Sequence, residues 1–114
     1  MQLTVRNLLN MPELKIKLIS KNNGIDKHIV WAHTSELENP SEWVQANYLI
    51  MTTGLGIPKT SDKQKAYIQR IIDADLAGLM ISDNMSAPKD LSTLIEVANE
   101  NQFPVLFIDY HTPF

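Results

Sequence analysis

With 114 residues, 44% hydrophobic and 20% charged, the chain has the length and composition of one globular domain, and folding is expected to bury roughly two-thirds of the surface its unfolded form exposes. It contains no cysteine, which excludes disulfides, thiolate nucleophiles and cysteine zinc sites. A net charge of -3 with dispersed lysines gives no general attraction to phosphate backbones, the start lacks the pattern of a secretory signal, and no apolar run approaches membrane-spanning length. A cytoplasmic domain that does not itself bind nucleic acid or membrane is expected.

Thr4 is placed to cap a short helix through Val5-Arg6-Asn7-Leu8-Leu9, with Val5, Leu8 and Leu9 on one face, and Pro12 can begin a further turn. From Lys15 to Ile19 lysines alternate with Ile16 and Leu18, the period of a strand with one wet face, and the lysines mark it as an edge. Asn23-Gly24 then supplies a turn, and His28 to Thr34 reads as a returning strand, so an N-terminal β-hairpin is expected. Asn39 or Ser41 can cap a single helical turn that carries Trp43.

Tyr48 to Thr52 reads as a strand, and Ser61-Asp62-Lys63-Gln64 as a capping box opening a helix to Asp75, with Gln64 among its wet positions. Leu79-Met80-Ile81 is a buried strand, and Ser86-Ala87-Pro88 leads into a second helix carrying Leu91, Leu94, Ile95, Val97 and Ala98. Pro104 stops that helix, and the continuously apolar Val105 to Ile108 reads as a strand covered on both faces. The expected fold is α/β: a compact single domain whose mixed sheet joins the hairpin to a parallel βαβαβ unit.

Between the strand that begins at Tyr48 and the helix that begins at Ser61 lies Thr52-Thr53-Gly54, two hydroxyls and a permissive glycine at a strand's carboxyl end, where open sheets bind ligands. These residues suit an anion or a heteroaromatic ring, or they merely hold the loop. Ser35-Glu36 follows a neighbouring strand, so Glu36 either accepts hydrogen bonds from a ligand or ties down the Thr52-Thr53-Gly54 backbone. Trp31 and Trp43 offer rings for stacking, with Trp31 read rather as core. Gly54-Leu55-Gly56 is too short for a dinucleotide fingerprint. His28 and His33 fall on opposite strand faces, His111 lies in the tail, and Asp83-Asn84 and Asp109 lack the partners of a phosphoacceptor site. No metal, cofactor or catalytic constellation is expected.

Taken in order, Thr4 to Leu9, Trp31-Ala32-His33-Thr34-Ser35-Glu36-Leu37, Trp43, Leu49-Ile50-Met51-Thr52-Thr53-Gly54 and the ending Ile108 to Phe114 resemble the N-terminal domain of PucR-type purine-catabolism regulators. Where that family has glycines and an acidic residue before the apolar strand, this chain has Ala46-Asn47-Tyr48, and Asn47 tolerates a left-handed turn. The resemblance implies that residues 1–114 are the sensory domain of a bacterial transcription regulator, a fragment of a longer protein whose middle and helix-turn-helix domains are elsewhere. Its effector would be a small nitrogen-rich metabolite, a purine derivative by default, bound by Ser35, Glu36, Trp43, Thr52, Thr53 and Gly54. The alternative is an oligomerisation module without a metabolite, forming a homodimer through the C-terminal strand or the N-terminal hairpin.

Overall fold

The computed structural model describes residues 3–83 and 86–109. The tail Tyr110 to Phe114, with His111, and Asn84 lie outside the described residues. Strand β1 (Leu3–Thr4) runs directly into helix α1 (Val5–Leu9). Thr4 ends the strand because its hydroxyl accepts from Asn7 N at 3.2 Å while Asn7 Oδ1 accepts from Thr4 N at 2.9 Å, a reciprocal cap. A 3-10 turn, Pro12–Leu14, leads into β2 (Ile16–Leu18). Then come β3 (His28–Ile29), β4 (Trp31–Thr34), β5 (Tyr48–Thr52), α2 (Ser61–Asp73), β6 (Gly78–Asp83), α3 (Ser92–Glu100) and β7 (Val105–Asp109).

The main sheet has the order β2-β7-β6-β5-β4, with β4 to β7 parallel and β2 antiparallel on β7, and β1 and β3 form a separate two-stranded ribbon. The mixed α/β sheet and the parallel β5-α2-β6-α3-β7 unit are as the sequence pattern implies. The N-terminal hairpin is not formed: β2 and β4 lie at opposite edges of the sheet. The physical reason lies in β7, whose apolar run needs a neighbour on each side, and β2 fills one of them by pairing Ile16, Lys17 and Leu18 with Ile108, Phe107 and Leu106. The stretch read as one strand from His28 to Thr34 breaks at Val30, whose N–H donates to Asn47 O at 3.0 Å, and its first half joins β1 instead. Asn47 holds that junction in the left-handed conformation expected of it, at φ 68°. The region from Asn39 forms turns rather than a helical turn.

Both long helices pack on one face of the sheet, where Ile50, Leu79, Ile81 and Val105 meet Tyr67, Ile68, Ile71, Leu94 and Val97. Each such aliphatic side chain contributes about 1.5–3 kcal/mol by leaving water. The other face carries Leu49, Met80, Leu106 and Ile108, covered by Val5 from α1 and Ile25 from the loop before β3. That cover is partial. A groove of about 390 Å³ remains, lined by Leu8, Ile16, Leu49, Met51, Met80 and others. Among the described residues no helix is long and apolar enough to cross a membrane.

Helix α2 departs from the sequence reading at its start. Thr60 is the N-cap without a side-chain bond, so no capping box forms. Gln64 turns inward and is 2% exposed. Its Nε2 donates to Pro58 O and Asp90 O, each at 3.1 Å, and its Oε1 accepts from Leu94 N at 2.9 Å. The side chain thereby bolts the β5–α2 loop and the β6–α3 loop to the start of α3.

Candidate functional site

The carboxyl ends of β4 and β5 are adjacent because the two strands pair in register, Thr34 against Met51. The residues that follow therefore meet at one rim of the sheet. Ser35 is buried, its N–H donates to Met51 O at 2.9 Å, and its hydroxyl accepts from Leu37 N at 3.3 Å. That turn aims Glu36 along the rim. Glu36 Oε1 accepts from both Thr52 Oγ1 and Thr53 Oγ1 at 2.8 Å, and Oε2 accepts from Thr53 N at 2.9 Å. Thr52 Oγ1, in turn, accepts from Gly54 N at 3.0 Å.

One carboxylate thus clamps the entire loop opening. Gly54 (φ 92°) lies against the backbone of Ala87, and a Cβ on Gly56 would stand 2.3 Å from Glu36 O, so both glycines are required by close approach. Of the residues singled out from sequence, Ser35, Glu36, Thr52, Thr53 and Gly54 come together here. Trp43 does not join them by any described hydrogen bond: it is 86% exposed with φ 68°, on the return segment between β4 and β5. Trp31, read as core, is 65% exposed: β4 is the last strand of the sheet, with a neighbour only in β5 among the described strands.

Glu36→Gln is expected to lower stability by about 1–2 kcal/mol, because charge-assisted bonds become neutral ones and one amide end can no longer accept. A urea titration measures it, and a change of only a few tenths would mean that the clamp does not hold the loop.

Beneath the rim lies a group that the helical pattern classed only as apolar. Tyr67, in the second turn of α2, is 1% exposed, and among the described residues its hydroxyl has no hydrogen-bond partner. Side chains on a helix lean toward its N-terminus, which here faces the rim. Burial holds the phenol far above its ordinary pKa, and the negative charge of Glu36 raises it further. The hydroxyl is neutral and remains a proton donor.

On the far side of Gly54, between the β5–α2 and β6–α3 loops, a cavity of about 350 Å³ is lined by Lys59, Ser86, Ala87, Pro88, Lys89 and Asp90. A volume of that size suits a small metabolite. The order β4-β5-β6-β7 never reverses, so these parallel strands have no switch point. What the rim offers instead is a clamped carboxylate, an unpaired buried phenol and a neighbouring cavity with two lysines. Among the described residues no group of three or more His, Asp or Glu side chains is placed to hold a metal ion.

The sequence pattern of the purine catabolism regulatory protein-like family, PucR, matches residues 7–114. The transcriptional activator PmfR of Paenarthrobacter nicotinovorans is 37% identical over 112 residues, covering 98% of this chain and 24% of that protein. The chain therefore spans about a quarter of the length of that relative. With a match over nearly its whole length, and a fold of the expected α/β class, this chain belongs to the purine catabolism regulatory protein-like family of transcription regulators.

Proposed function

We propose that this chain is the effector-sensing domain of a cytoplasmic transcription regulator. It binds a small nitrogen-rich metabolite, a purine-pathway compound by default, and relays occupancy to a DNA-binding domain elsewhere in the longer protein. The role is one of binding, without catalysis. The observation that carries this reading is the Glu36 carboxylate gathered with Thr52, Thr53 and Gly54 at the sheet's rim, beside a Tyr67 hydroxyl in the core that is buried and has no hydrogen-bond partner among the described residues. Buried polar groups in folded proteins are nearly always paired, so the orphan donor of Tyr67 and the acceptor oxygens of Glu36 suit a molecule offering both an acceptor and a donor. Amide-like edges of oxidised purines and ureides present that pair.

The signal would be an exchange of partners. A ligand N–H that takes the Glu36 carboxylate releases the hydroxyls of Thr52 and Thr53, and the loop through Gly54 changes its arrangement. Occupancy shifts the two arrangements only by the difference in affinity, and a near-complete switch needs about 5.5 kcal/mol of it.

Tyr67→Phe separates this reading from a purely structural one. Removing an unsatisfied hydroxyl is expected to raise stability by about 1 kcal/mol while weakening ligand binding about tenfold. Calorimetric titration with xanthine, urate and allantoin, on the parent and the variant, checks both halves. Saturable heat that weakens in Tyr67→Phe supports sensing at this rim. Absence of heat with the whole panel of purine-pathway compounds favours an assembly role instead.

A further inference from the structure

Two lysines stand at corresponding places in neighbouring loops. Lys59 follows Pro58 in the β5–α2 loop, and Lys89 follows Pro88 in the β6–α3 loop. Proline fixes its own φ, so each lysine leaves a stiffened stretch of backbone. The strands that feed these loops are adjacent and parallel, with Thr52 opposite Ile81, so both loops leave the sheet at the same rim.

Gln64 sets the spacing between them. Its Nε2 donates to Pro58 O and to Asp90 O, each at 3.1 Å, so the two carbonyl oxygens stand no more than twice that distance apart. Pro58 and Asp90 are the immediate chain neighbours of Lys59 and Lys89. A second tie, between Ser61 Oγ and Thr93 Oγ1 at 2.9 Å, joins the starts of the two helices that follow. The two lysines therefore stand on one braced base.

Both side chains are exposed, and both line the cavity of about 350 Å³ between the loops. Among the described residues neither has an ion-pair partner. The one carboxylate in the described lining, Asp90, is already engaged: its Oδ1 accepts from Ser92 N at 2.9 Å and from Ser92 Oγ at 2.6 Å. Two ammonium groups against one carboxylate leave the lining with a positive balance. Like charges held on a common base repel each other, and a small anion placed between them relieves that repulsion while it is attracted to both. An ammonium group acts as a point charge toward phosphate and carboxylate oxygens alike.

We propose that the cavity between Lys59 and Lys89 is an anion site, taking a small molecule with two or more anionic oxygens, a phosphate or a dicarboxylate. It lies on the far side of Gly54 from the Glu36 clamp and stands whether or not an effector binds at that clamp.

Calorimetric titration of the chain with inorganic phosphate and, separately, with succinate tests the site, at an ionic strength held constant with sodium chloride. Saturable binding of at least one is expected, and the tighter of the two identifies which anionic group the cavity prefers. Lys59→Gln and Lys89→Gln should each weaken that binding at least about fivefold while circular dichroism confirms the fold. Lys65→Gln, which removes an exposed lysine of α2 outside the cavity, should leave it unaltered. Absence of saturable binding with both anions would overturn the proposal. So would binding indifferent to Lys59→Gln and Lys89→Gln, or weakened as much by Lys65→Gln, the mark of a general response to net charge.

Discussion

Gln64→Glu is expected to lower the unfolding free energy by about 3–5 kcal/mol. The substitution preserves shape and the bond from Leu94 N, but it replaces the amide nitrogen that donates to Pro58 O and Asp90 O with an acceptor facing two acceptors. It also places a carboxylate at a position that is 2% exposed. The folded state disfavours that charge, so the introduced carboxyl has a raised folded-state pKa. The deficit should shrink below about pH 4, where the acid is protonated in both states, and grow as pH rises. Urea titrations at acid and neutral pH measure both effects. A loss below about 1 kcal/mol at neutral pH would show that the Gln64 bolt does not hold the two loops together.

Gly54→Ala is expected to cost about 2–4 kcal/mol, through two additive causes. The backbone at φ 92° suits glycine, and an added Cβ would stand 2.4 Å from Ala87 Cβ and 2.7 Å from Ala87 Cα. Neither neighbour is the yielding end of a long side chain, so the loop itself must move. Gly78→Ala provides the comparison: its Cβ would sit 3.2 Å from Leu49 Cδ1 and 3.3 Å from Pro104 O. A terminal methyl can give by a few tenths of an ångström, and the cost should be distinctly smaller. Thermal unfolding of the two variants checks the order, and equal losses would contradict the close packing of the rim loop on Ala87.

The parts of the fold visible in sequence are those governed by local period and punctuation. Thr4 caps α1, Asn47 takes a left-handed turn, and the alternation of β5, α2, β6, α3 and β7 follows from apolar spacing and from the stop at Pro104. The meeting of Ser35-Glu36 with Thr52-Thr53-Gly54 was also legible, because adjacent parallel strands end at one rim. The edge partner of β2 was not. Its lysine alternation says only that the strand is half wet, and β7, 85 or more residues later, decides where it pairs.

Gln64 shows a different kind of failure. Positions 64, 67, 68 and 71 form one buried stripe of α2, so the spacing placed Gln64 inward while its polarity suggested water. Three backbone partners outweighed that polarity. Tyr67 lies on the same stripe, and periodicity carries no sign that its hydroxyl would be left unpaired. Trp31 was misread because alternation reports which face a residue takes, not whether any element covers that face.

The most direct measurement of sensing at the rim is an amide NMR spectrum of the isotope-labelled chain, followed while a calorimetrically binding purine-pathway compound is added to saturation. The N–H signals of Thr53, Gly54 and Leu55 should shift together, and Glu36→Gln should abolish those shifts while leaving the spectrum folded. Shifts confined to the apolar groove around Leu8, Leu49 and Met80, with the rim signals unmoved, would contradict it.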